Sequence, residues 1–154
     1  MKARFIIPIL LLITSQANAF KCYVTAVKDS CWTEFNVTIK IIDYATNKSV
    51  VDDLVIPKGK SWVRKSFECA PKEAMIYKAK YSPAIWKGQE QKVYTSKRIW
   101  YLPQKVGKEE VAWNIPICYG RDFSQVPLPP KVSGDCNCDF DSVPAIPGQE
   151  KTKK

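Results

Sequence analysis

Two cysteines stand one residue apart in GDCNCDF, residues 134–140. Thiols at this spacing have three uses: holding a zinc or copper ion, exchanging a disulfide with a substrate, or tying the chain to two other cysteines. The metal use lacks the second cysteine pair that closes a tetrahedral site, and the chain has no histidine to stand in for it. The redox use needs a thiolate, and Asp135, Asp139 and Asp141 surround the pair with negative charge that disfavours one. Tying needs only geometry. In an extended segment Cys136 and Cys138 point to the same side about 7 Å apart, placed to bond two different cysteines, whereas a bridge between the two would be strained. The expectation is two separate ties to partners among Cys22, Cys31, Cys69 and Cys118, with the remaining two paired together. Each bridge contributes roughly 2 to 4 kcal/mol. No metal and no cofactor is expected.

The missing histidine removes Ser-His-Asp and Cys-His machinery, imidazole ligands and the usual proton shuttle near neutral pH. Adjacent acids, Asp52 with Asp53 and Glu109 with Glu110, face opposite ways on a strand and stand in turn-like text, so they read as solvated turn carboxylates rather than a glycosidase pair. The chain is therefore expected not to be an enzyme. Binding chemistry is better represented. Lys97 to Tyr101 reads KRIWY, and with Trp62, Arg64 and Trp86 it offers rings and cations to a protein partner, a glycan or an anionic surface. Strand alternation groups Ile99 with Tyr101 and Arg98 with Trp100; with the first pair in the core, Trp100 stands exposed beside Arg98. The candidate patch is Trp62, Arg64, Trp86, Arg98 and Trp100. Nucleic acid is not expected, because the positive charge comes with no binding motif. Asn36-Val37-Thr38 and Asn47-Lys48-Ser49 match the glycosylation acceptor pattern, which carries no meaning in a bacterial chain.

Such side chains need a scaffold, and the sequence describes an exported one. MKARFIIPILLLITSQANAF places Lys2 and Arg4 before an apolar run and ends it at Ala17-Asn18-Ala19, the layout of a secretory signal peptide over residues 1–19. Removing it leaves about 135 residues, the size of one domain with a proper core, and lowers the formal charge of +9 by two. All six cysteines follow the cleavage point, and an even count in an exported chain reads as a disulfide framework made in an oxidising compartment, periplasmic or extracellular. No later stretch approaches the ~20 apolar residues of a membrane span.

FNVTIKI alternates cleanly, with Phe35, Val37, Ile39 and Ile41 on one side. AMIYKAKY does the same with Met75, Tyr77, Ala79 and Tyr81, and EVAWNIPIC with Val111, Trp113, Ile115 and Ile117. Strands are further expected over Phe20 to Val27, in VVDDLVI, in KSWVRKSFEC after a Pro-Lys-Gly turn, and across VYTSKRIWYL. Seven short strands without a helical period predict an all-β chain: a two-sheet antiparallel β-sandwich, Ig-like or transthyretin-like, over residues 20–118. The proline-rich text of residues 119–148 reads as an extended tail stapled to the domain, with Phe123, Val126 and Leu128 covering apolar strand surface. Residues 149–154 read as a disordered basic end.

The succession KDSCW, PKGKSW, AWNIPICY and GDCNCDF resembles small disulfide-bonded periplasmic proteins of gammaproteobacteria, some of which accompany type IV secretion outer-membrane complexes. The resemblance and the absent catalytic groups lead to one expectation, a non-enzymatic interaction or structural module with protein partners in the envelope, such as an accessory subunit of a secretion assembly. The alternatives are a secreted ligand-binding or inhibitor protein that uses the aromatic and basic patch, and, as a minor one, a thiol oxidoreductase.

Overall fold

The computed structural model describes residues 19–149. The expected signal peptide, apart from Ala19, and residues 150–154 of the expected basic end lie outside the described residues. Within them the chain forms β1 (Phe20–Lys28), a 3₁₀ turn (Ser30–Trp32), β2 (Asn36–Asp43), β3 (Leu54–Ile56), β4 (Trp62–Cys69), β5 (Ala74–Ser82), β6 (Tyr94–Thr95), β7 (Trp100–Tyr101) and β8 (Trp113–Tyr119). One sheet runs β4-β1-β8 and the other β3-β2-β5-β6, with β7 also paired to β5. The protein is an all-β sandwich of these two sheets. One pair departs from the antiparallel rule: β1 and β8 run parallel, from Cys22 beside Trp113 to Lys28 beside Tyr119. The chain crosses from β7 in the other sheet and enters β8 beside the start of β1, which fixes that direction.

Period-2 alternation builds the core. Cys22, Val24 and Ala26 of β1 and Ile115 and Ile117 of β8 face Val37, Ile39 and Ile41 of β2 and Met75, Tyr77 and Ala79 of β5, all of them buried. Each fully buried Val, Ile or Met side chain stabilises the fold by roughly 1.5 to 3 kcal/mol. Trp32 of the 3₁₀ turn plugs one end of the sandwich, with ring centroids 4.5 Å from Tyr81, 5.2 Å from Phe35 and 5.3 Å from Tyr119. At the same end Lys28, next in the inward series of β1, is buried, and burial lowers its pKa from the ordinary lysine value against the pull of Glu34. Its Nζ donates to the carbonyl oxygens of Phe35 at 2.7 Å, Pro57 at 2.9 Å and Thr33 at 3.3 Å, which compensates the lost hydration.

Three local expectations change. The strand expected across VYTSKRIWYL splits into β6 and β7, because Lys97 N turns away to donate to the Asp122 carbonyl at 2.9 Å and Ser96 Oγ takes the N–H of Tyr77 at 3.2 Å. The inward series is the one that holds buried Tyr94, not the one expected: Trp100 shares its parity, pairs with inward-facing Met75 and packs against the core, while Tyr101 is 65% exposed. Trp100 is half-buried rather than standing free beside Arg98. Second, β8 begins at Trp113 and Val111 is exposed, because a turn that sends the Gly107 N–H to Glu110 Oε2 at 2.6 Å precedes it. Third, among the tail residues expected to cover apolar surface, Phe123 is buried against Tyr77 and Tyr119 and Val126 packs on the core, but Leu128 is exposed.

Candidate functional site

Three disulfides divide the molecule into a covered face and an open one. Cys22–Cys69 joins β1 to β4, Cys31–Cys136 joins the 3₁₀ turn to the tail, and Cys118–Cys138 joins β8 to the tail. Cys136 and Cys138 thus hold two different partners on the domain, and the CNC pair is a double staple. Between the ties the tail runs beside the 3₁₀ turn, where Ser30 N donates to the Asn137 carbonyl at 3.1 Å. Residues beyond Cys138 lie across the outer surface of the three-stranded sheet and form a third layer there. Thr25, Val27 and Cys118 are buried on that surface, together with Val143 and Ile146 of the tail.

Arg64 clasps this layer. Its Nε donates to Thr25 Oγ1 at 2.8 Å, and its terminal nitrogens donate to the carbonyls of Ala145 at 3.1 Å and Pro144 at 2.7 Å. Thr25 Oγ1 in turn donates to Asn114 Oδ1 at 2.8 Å, so one polar chain crosses β4, β1 and β8. The Trp62 ring lies 5.6 Å below the Arg64 guanidinium. Burial lowers the Arg64 pKa from its ordinary value. A cleft of about 510 Å³ remains under the tail, lined by Thr25, Arg64, Asn114 and apolar residues such as Phe140 and Ile146. Gln149 closes it, donating from Nε2 to the Ala112 carbonyl at 3.1 Å.

The five candidate patch residues fall into three places. Trp62 and Arg64 share β4 beneath the tail. Arg98 and Trp100 lie at the β6–β7 edge of the other sheet, with the guanidinium 5.7 Å from the Trp100 ring centre. Trp86 sits in the loop between β5 and β6 and packs against the core.

The outer face of the five-stranded sheet has no tail residue along its cleft of about 320 Å³, which Thr38, Lys40, Ile42, Asp53, Lys78, Lys80 and Val93 line. Lys40 on β2 stands directly opposite Lys78 on β5, and Lys80 opposite Thr38. Like charges in register across a strand pair are destabilising. Asp53 relieves only part of this, 3.8 Å from Lys40 Nζ. Val55 and Val93 are 47% and 52% exposed on the same sheet and its flanking loop. The sequence shows each lysine as an outward residue on its own strand, but the opposition of Lys40 and Lys78 depends on register.

Asp29, Cys31 and Cys136 bring three donor atoms of metal-binding type within 4.8 Å of one another. Two of these are the sulfurs of one disulfide, so they do not act as thiolate ligands. Asp29 instead caps the 3₁₀ turn, accepting from Cys31 N at 3.0 Å. Burial pushes its pKa above the ordinary carboxylate value of 3.8, against the pull of backbone N–H groups from Cys31 and Trp32. The folded state therefore binds this proton more tightly than the unfolded chain does. Asp29's contribution to stability is full below pH 3.8 and is lost as pH rises through its elevated folded value. Asp29→Asn should remove that loss. Urea midpoints of the variant should gain on wild type between pH 3.8 and neutrality, and parallel midpoints would count against the buried, charged carboxylate.

Among the described residues no helix is long and apolar enough to cross a membrane. The three disulfides fit a protein that matures in an oxidising compartment. The chain matches no protein-family model, no curated protein and no solved structure.

Proposed function

We propose that the chain is an exported, non-enzymatic interaction module of the cell envelope, which docks an acidic protein partner on the open face of the five-stranded sheet. The observation that carries this reading is the Lys40–Lys78 opposition beside Lys80, on a bare sheet face next to exposed Val55 and Val93. A fold that covers one sheet with a stapled tail leaves the other with cations that repel each other. An acidic surface would turn that cost into attraction and gain apolar burial at Val55 and Val93. The resemblance to periplasmic proteins that accompany type IV secretion complexes supports a place as an accessory subunit of such an assembly.

Gentle solubilisation of the native envelope followed by crosslinking tests the reading. The wild type should co-purify with a protein partner, and the Lys78→Glu/Lys80→Glu variant should lose it while its melting temperature holds or rises. Elution only as a free monomer, or a variant that keeps the partner, would overturn it. Binding that transfers to anionic vesicles instead would move the occupant from a protein to a membrane surface and equally overturn it.

A further inference from the structure

At the β6–β7 edge a cleft of about 240 Å³ is lined by Tyr77, Ser96, Lys97, Arg98, Trp100, Arg121 and Asp122. Its charges are unbalanced, with three cations to one carboxylate. That carboxylate is already engaged, since Asp122 Oδ2 accepts from Cys118 N at 2.7 Å and Oδ1 from Arg121 Nε at 3.0 Å. Lys97 and Arg98 have no ion pair among the described residues. Arg98 is held by the Trp100 face, and stacking of this kind leaves the N–H edges of a guanidinium free to fork onto an acceptor.

The side wall supplies the second observation. Tyr77 is 3% exposed, and its hydroxyl is buried with no hydrogen-bond partner among the described residues. A buried hydroxyl without a partner is costly, and native structures rarely leave one without a reason. Burial, and after it the charge of Asp122, raises the pKa of this phenol against the opposing pull of Arg98, so it keeps its proton and remains a donor. Tyr77 thus lines the same cleft as Lys97, Arg98 and Arg121, while the acceptor oxygens of the cleft's one carboxylate are in use.

We propose that this cleft binds an oxyanion group, a carboxylate or a phosphate, between the Arg98 guanidinium and the Tyr77 hydroxyl, with Lys97 and Arg121 at its rim. The group gives the phenol its missing acceptor and neutralises the surplus cation. Trp100 contributes a flat apolar wall, against which the organic part of a larger ligand lies. The site uses none of the lysines of the proposed docking face, so either reading can fail without the other.

The test titrates inorganic phosphate in one arm and acetate in the other, at ionic strength held constant with chloride, following tryptophan fluorescence and amide chemical shifts near Trp100. Saturable binding in at least one arm is expected, and the arm that saturates identifies the chemistry. Arg98→Gln should weaken it tenfold or more, and Tyr77→Phe roughly tenfold, the scale of losing one hydrogen bond to a charged group. Without ligand, Tyr77→Phe should melt at or above the wild-type temperature, because it removes a hydroxyl that nothing satisfies. A linear response in both arms, equal affinity in Tyr77→Phe, or a lowered melting temperature for that variant would each overturn the proposal, the last by revealing an internal partner for the hydroxyl.

Discussion

Changing Cys136 and Cys138 together to serine should strip the third layer from the three-stranded sheet and leave the two-sheet core standing. The Cys31–Cys136 bridge closes a sequence separation of 105 and Cys118–Cys138 one of 20. Chain entropy assigns them roughly 5 and 3 kcal/mol taken singly, and because the loops overlap the sum is an upper bound. The tail also loses the ties that hold Val143 and Ile146 over Thr25 and Val27, so apolar burial adds to the loss. Cys22–Cys69 and the inward faces of β1, β2, β5 and β8 are untouched, and cooperative unfolding should survive with a midpoint lower by roughly 10 to 25 °C. Protease should then cut between Pro127 and Gly134, where wild type resists. Non-reducing peptide mapping of the wild type should recover Cys31 with Cys136 and Cys118 with Cys138. A double variant as resistant as wild type, or a Cys136–Cys138 peptide, would sink the staple.

How far the sequence carries can be read from particular residues. Val37, Ile39 and Ile41, and Met75, Tyr77, Ala79 and Tyr81, were legible as inward rows because alternation is a local property of a strand, and all seven are buried. The double staple was legible because the same-side geometry of Cys136 and Cys138 is also local. Which cysteines they meet was not, since that depends on how the tail crosses the sheet. Trp100 rather than Tyr101 faces inward because it shares the parity of buried Tyr94, and which parity is inward is decided by pairing with Ala79 and Met75 of β5. Lys28 falls just past the strand expected over Phe20 to Val27, and only the fold brings the three carbonyls of Thr33, Phe35 and Pro57 to it. The same holds for Arg64, which was expected to face a partner and instead holds the chain's own tail. In the open face, Lys40 and Lys78 become a feature only through register. Local periodicity thus gave the layers, and long-range pairing decided which polar side chains are structural and which are left for a ligand.

Gly120→Ala should be among the most damaging single substitutions, although it adds one methyl group. Gly120 follows β8 with φ at +108°, a backbone conformation that residues with a side chain rarely adopt. A Cβ there would run into the carboxylate of Asp29. That carboxylate cannot retreat without cost, because it caps the turn that carries Cys31 and Trp32, and with them the disulfide to the tail and the aromatic plug. Overpacking costs roughly 1 to 3 kcal/mol and the forced backbone roughly 1 to 3 more, so a loss of about 4 kcal/mol is expected. A double-mutant cycle with Asp29→Ala separates the two parts. Asp29→Ala alone should cost about 1 kcal/mol as a lost cap, but in the Gly120→Ala background it removes the clash. The double variant should therefore be more stable than the sum of the singles by at least about 1 kcal/mol. Additive losses in urea unfolding would show that the backbone alone carries the effect and that the approach of Asp29 to Gly120 is not a constraint on the fold.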